Sequence, residues 1–192
     1  MGREFELKFR ATREVQKEIR RAFTGDWQEI QMETTYYDTK TREAGRRHWT
    51  LRRRLENGKS VCTVKTPSPD GGRGEWETEC PDILEAIPEL CKLGGPRALL
   101  LFLGQEVIPV CAAKFTRQAA TLTLEVCTVE IALDQGVLRG GDKEIPLCEV
   151  EVELKSGSQD AAVAFAEALA EKYALVPEPK SKFARAAALS LE

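Results

Sequence analysis

Charged residues recur in this 192-residue sequence at a spacing of two, the side-chain period of a β-strand. Glu149, Glu151 and Glu153 alternate with Val150, Val152 and Leu154, and Glu4, Glu6 and Lys8 alternate with Phe5, Leu7 and Phe9. Arg52 and Arg54 share one face opposite Leu51 and Arg53, Thr63 shares a face with Lys65, and Glu75, Glu77 and Glu79 share another. Like charges at i and i+2 project about 6–7 Å apart and repel, so a row of one sign calls for a counter-charge. Clustered carboxylates favour hard divalent cations, whereas guanidinium and ammonium groups favour phosphate oxygens. A metal-bound polyphosphate meets both needs, offering its cation to the acids and its remaining oxygens to the bases. That chemistry is either cleavage of a phosphoanhydride or binding of a polyphosphate, and the residue pattern does not choose between them. No serine or cysteine stands beside a base that would make it a covalent nucleophile.

These charges require strands that close on one another. If the alternating segments, which also include 121–127, form one barrel, acidic and basic rows face each other across its interior and the apolar faces lie outside under helices. The helices are legible as well. Val15, Ile19 and Ala22 follow Thr12 as a candidate N-cap, and Val163, Ala166, Leu169 and Ala170 follow Ser158. A third helical region is expected over 82–103, interrupted at Pro88 and Gly94–Pro96, and a short one after Lys182. With no repeat and only loop-sized Pro/Gly stretches, residues 1–192 read as a single α+β domain.

Composition removes several classes of function. The net charge of −3 and isoelectric point near 5.5 do not support bulk attraction to nucleic acid. The longest apolar run, Ala98 to Leu103, is far short of a membrane span, and the charged N-terminal run is no secretory signal. Six cysteines without Cys-x-x-Cys pairs, and one histidine, His48, make poor material for zinc or a disulfide framework; a reducing cytoplasm suits them.

The Glu4-x-Glu6-x-Lys8 signature resembles that of the CYTH domain, the triphosphate tunnel metalloenzyme family. Its companions occur in the family's order: Tyr36-Tyr37-Asp38-Thr39, Leu51-Arg52-Arg53-Arg54, Thr63-Val64-Lys65, Arg73-Gly74-Glu75-Trp76-Glu77, Ile131 to Gly136, the acidic strand 149–153, and Ser181-Lys182. Glu130 to Gly136 and Cys148 to Gly157 look like the bacterial inorganic triphosphatase branch. The resemblance implies an eight-stranded antiparallel β-barrel, a tunnel with a charged interior flanked by helices, that hydrolyses triphosphate with Mg²⁺ or Mn²⁺. It implies catalytic roles for Glu4, Glu6, Lys8 and Glu151, and triphosphate binding by Lys8, Arg52, Arg54, Lys65, Arg117 and Lys182. Metal ligation falls to Glu4, Glu6, Glu149, Glu151 and Glu153, with Asp134 approaching the metal or its water unless it merely forms a turn before Gly136.

Lys114 receives no role, since the chain reads Lys114-Phe115-Thr116-Arg117 where the family often has Lys-x-Arg. Glu75 and Glu77 either reach the tunnel or buffer its bases. Tyr37 and Asp38 are expected to pack and cap a turn, Arg53 and His48 to meet solvent, and the three tryptophans to anchor packing. Rival activities in the same tunnel are a class IV type adenylyl cyclase acting on a nucleoside triphosphate, a thiamine triphosphatase, and a non-catalytic polyphosphate-binding module.

Overall fold

The computed structural model describes residues 5–67 and 73–190. In chain order the elements are β1 (Glu6–Arg10), α1 (Arg13–Ala22), β2 (Gln28–Thr39), α2 (Glu43–Arg46), β3 (Thr50–Glu56), β4 (Lys59–Pro67) and β5 (Arg73–Glu79). Then come α3 (Ile83–Lys92), a 3₁₀ helix (Arg97–Gly104), β6 (Val107–Thr123), β7 (Cys127–Gly140), β8 (Lys143–Gly157), α4 (Gln159–Tyr173), β9 (Val176–Pro177) and α5 (Lys182–Leu189). The helix starts follow capping chemistry: the side chains of Thr12, Asp82, Ser158 and Ser181 each accept a backbone N–H in the first turn of α1, α3, α4 and α5. α3 runs through Pro88 instead of breaking there, and ends before Gly94.

The strands form one antiparallel sheet in the order β5-β4-β3-β2-β6-β7-β8-β1-β9. The α+β, tunnel-like arrangement holds, but among the described residues the sheet has nine strands where eight were expected, and its hydrogen bonding does not close. The free edge of β1 is taken at Phe9 and Arg10 by Val176 and Pro177 of β9, so it is not offered there to β5. The sheet nevertheless curls enough that residues from β1 to β8 line one cavity of about 1210 Å³. The stretch 121–127 is not a single strand. It ends β6, turns at Leu124, whose N–H bonds the Cys127 carbonyl, and begins β7.

Outside the curl lie two apolar layers. α1 and α4 cover β1, β7 and β8, packing Ile19, Ala166 and Leu169 against Phe9, Ile131, Val150 and Val152. α3 and the 3₁₀ helix cover β3 and β4, packing Ile87, Leu90 and Phe102 against Leu51, Cys62 and Val64. Burying an aliphatic side chain of this kind contributes about 1.5–3 kcal/mol, so these faces fix which side of each strand turns inward.

The inner face is not charged along its whole length, as uniform alternation would have it. At one end Met32, Tyr36, Cys111, Ala113, Phe115, Leu138 and Leu147 form an apolar cluster with Ala186 and Phe183 of α5. The close seat of α5 depends on Gly140, where a Cβ would come 2.1 Å from the Ala186 carbonyl oxygen.

Candidate active site

Strand register places the charges. β3 turns Arg52 and Arg54 inward, β4 adds Lys65, and β5 adds Glu75 and Glu77. Glu75 accepts from Arg52 at 3.3 Å and lies 3.2 Å from Lys65, so it both reaches the cavity and buffers its bases. Arg54 pairs with Glu56 at 2.6 Å. Burial, followed by the neighbouring Arg52 charge, lowers the Arg54 guanidinium from its ordinary value, and among the described residues the Nε atoms of Arg52 and Arg54, like those of Arg53 and Arg185, are buried without a hydrogen-bond partner.

The opposite wall is acidic. Glu6, Glu153 and Glu130 stand in register across β1, β8 and β7, met by Lys8 at 3.0 Å from Glu6 and by Lys155 at 3.0 Å from Glu153. Deeper in, Asp134 on β7 lies opposite Glu149 on β8, with Glu151 two residues on. One carboxylate oxygen from each of Asp134, Glu149 and Glu151 lies within 4.8 Å of the others, and all three residues are buried. Oxygen donors at that spacing suit Mg²⁺ or Mn²⁺ better than a soft metal, and neither cysteine nor histidine lines the cavity among the described residues.

α5 and β6 supply the countercharges. Lys182 Nζ lies 2.8 Å from Asp134 and 2.6 Å from Glu151, and also contacts Glu149. Arg117 bonds Asp134 with two nitrogens, at 2.8 and 2.7 Å, and reaches Glu151; Arg185 pairs with Glu149. The Phe115 ring lies beneath both Lys182 and Arg117, at 5.2 and 5.9 Å from its centroid. Burial opposes the charge on Glu151, but Lys182 and then Arg117 outweigh it and hold this carboxyl well below the usual range. At Glu149 burial prevails over Lys182, and the carboxyl is raised.

The CYTH domain matches residues 2–187. The chain belongs to the CYTH family. It is 28% identical over 144 residues to the inorganic triphosphatase of Haemophilus influenzae, covering 74% of this chain and 41% of that protein. The CYTH chain thus spans less than half the length of this curated relative. Among solved structures it is similar to a protein of Pyrococcus horikoshii OT3, with a TM-score of 0.65, 22% identity, and 98% and 99% of the two chains covered. It is also similar to HpAC1 from Hippeastrum, named for adenylyl cyclase activity and described as revealing a dominant triphosphatase activity, with a TM-score of 0.66, 16% identity, and 98% and 97% covered. At these identities the likeness is one of fold.

The CYTH fold brings together Glu6, Lys8, Arg52, Arg54, Lys65, Arg117, Glu151, Glu153 and Lys182 as lining residues of one cavity. Glu4 lies outside the described residues. Asp134 is not in a turn: it sits mid-strand in β7, fully buried, because Arg117 and Lys182 neutralise it there. Glu149 is also fully buried, behind Lys182 and Arg185. Lys114 points away from the cavity, pairing with Glu33 at 2.6 Å on the exposed side. Arg53 faces away too, donating to the Pro81 carbonyl at 3.0 Å, and Asp38 caps α2 through the N–H groups of Ala44 and Gly45.

Sequence reasoning assigned no role to Glu130 or Arg185. Both had a signal: Glu130 shares strand parity with Asp134, and Arg185 follows Lys182 by three residues on a helix.

Proposed function

We propose that this CYTH chain hydrolyses inorganic triphosphate to diphosphate and phosphate with Mg²⁺ or Mn²⁺. The carrying observation is the pair Arg52 and Arg54, two like charges side by side in a cavity, with buried Nε–H groups that have no partner among the described residues and a carboxylate wall opposite. A phosphate chain bridging the walls would supply acceptors to these Nε–H groups. A cation-free anion binder has no use for that many facing carboxylates, which favours a metal-dependent enzyme over a passive binding module.

The Asp134, Glu149 and Glu151 carboxylates would hold the divalent ion, with Glu6 and Glu153, and Glu4 as the resemblance implies, on the same wall. When bound, it shields the substrate's charge and activates water. Arg52, Arg54 and Lys65 grip the phosphate chain and orient it along the cavity. Lys8, Arg117 and Lys182 stand on the acidic side, placed to stabilise charge on the transferred phosphoryl and on the leaving diphosphate. Preorganised electrostatics of this kind supplies most of the rate in phosphoryl transfer, and no covalent intermediate is needed.

The test is phosphate release from triphosphate, diphosphate, ATP and thiamine triphosphate, each with Mg²⁺ and with Mn²⁺. Triphosphate is expected to give the highest kcat/KM. An equal or higher value for ATP would favour a cyclase or general nucleotidase, and the appearance of cyclic AMP would decide for the cyclase.

A further inference from the structure

We propose that Gln16, outside the cavity on α1, is a positioning residue that sets the Asp134 and Glu149 carboxylates for a divalent cation. The inference rests on the metal-dependent reading above and adds a residue to it from the other side of the wall.

The inward face of α1 is otherwise apolar, with Val15 and Ile19 packed into the layer between helix and sheet. Gln16 is 2% exposed within that layer. A buried carboxamide costs stability unless its hydrogen bonds are made, and a leucine would serve packing as well. Here they are made, at one place. Its Nε2 donates to the Asp134 carbonyl at 3.1 Å and to the Glu149 carbonyl at 2.7 Å, and its Oε1 accepts from Gln135 Nε2 at 2.5 Å.

Asp134 and Glu149 face each other across β7 and β8, and both turn their carboxylates inward while their carbonyls meet Gln16 behind. One side chain therefore ties the two strands together at the height of the deepest acids. Cation ligation at this site needs oxygens held a few ångströms apart against mutual repulsion. A tie between the two backbones resists the spreading that repulsion favours. Groups that orient metal ligands from behind typically govern about 10–100-fold in metal affinity or activity.

The experiment is Mn²⁺ titration of the full chain by calorimetry, without triphosphate, alongside thermal unfolding. Gln16→Met keeps length and removes both donor and acceptor, while Gln16→Asn keeps a carboxamide one methylene short of the carbonyls. If the first variant does not fold, the second decides. Ile19→Val, one turn along the same buried face, is the packing control. Gln16 variants that fold are expected to bind Mn²⁺ roughly 10–100-fold more weakly, with Ile19→Val like the wild type. Folded Gln16 variants with wild-type Mn²⁺ binding would overturn the proposal, as would equal weakening in Ile19→Val, or a wild-type chain that binds no Mn²⁺. Intact Mn²⁺ binding without triphosphate turnover would count against the triphosphatase reading alone.

Discussion

The ammonium of Lys182 lies 2.8 Å from Asp134 and within contact of Glu149 and Glu151 as well, so it takes the position among three carboxylates that a divalent cation would take. On the metal-dependent reading, lysine and metal compete for one spot. Lys182 also lines the cavity, where an arriving phosphate chain would offer its ammonium other oxygens.

Lys182→Met should accordingly have opposite effects in two assays. Without triphosphate, Mn²⁺ binding should tighten by roughly tenfold or more, each decade corresponding to about 1.36 kcal/mol of competition removed. Turnover of triphosphate should fall, because a phosphate-facing cation is gone. The variant should also unfold at a lower temperature without metal, since three buried acids lose a partner, and Mn²⁺ should restore much of the loss. Calorimetry and a melting curve with and without Mn²⁺ check both halves; weaker Mn²⁺ binding in the variant would contradict the competition.

The register of β3 predicts a sharp contrast between adjacent arginines. Arg52→Ala and Lys8→Met each remove a partly buried, cavity-facing charge, a change that typically costs about 2–5 kcal/mol, or about 30-fold to several thousand-fold in kcat/KM. Arg53→Ala removes a bond to the Pro81 carbonyl on the far face and should leave turnover nearly intact. A crippled Arg53→Ala beside an active Arg52→Ala, both folded, would reverse the assignment of the inner face.

Glu149 and Glu151 should pull stability in opposite directions with pH. The Glu151 carboxyl is held below its ordinary value of 4.5, so between its folded value and 4.5 the unfolded chain takes up a proton that the folded chain does not. Stability from this group is complete above that range and is lost as pH falls through the folded value. Glu149, raised above 4.5 by burial, does the reverse: stability declines as pH rises from 4.5 through its folded value. Urea unfolding across pH should show Glu149→Gln flattening the decline above 4.5 and Glu151→Gln flattening the acid limb. Identical profiles for the two variants would refute the split.

Buried thiols should be silent. Burial pushes the Cys62 and Cys111 thiols up to about 12, so neither forms appreciable thiolate at pH 8. A colorimetric thiol reagent should label them only after unfolding; rapid native labelling at either position would show that the strand opens.

The acidic strand 149–153 and the Arg52/Arg54 strand were readable because their partners on the other parity are aliphatic or lie on the solvent side, giving clean period-two signals. β6 was not readable beyond its end. Its stretch Val107–Thr123 mixes small residues with Pro109, which sits where the β2–β6 register shifts between Tyr36 and Tyr37, so the alternation is broken by a bulge. The acidic wall was legible for Glu6, Lys8 and Glu151, which repeat locally. The placement of Asp134 beneath Lys182 was not, because it depends on where α5 docks, and docking turns on Gly140 at a distance in sequence. Gln16 was hidden for the same reason, since a lone amide in an amphipathic helix reads as surface until its partners 118 and 133 residues away are known.

The apolar seat of α5 against Leu138, Leu147 and Cys111 lines one end of the inner face with side chains that offer a phosphate oxygen no charge. On the triphosphatase reading a phosphate chain finds its charged partners away from that end, so the apolar seat biases where along the inner face the substrate lies.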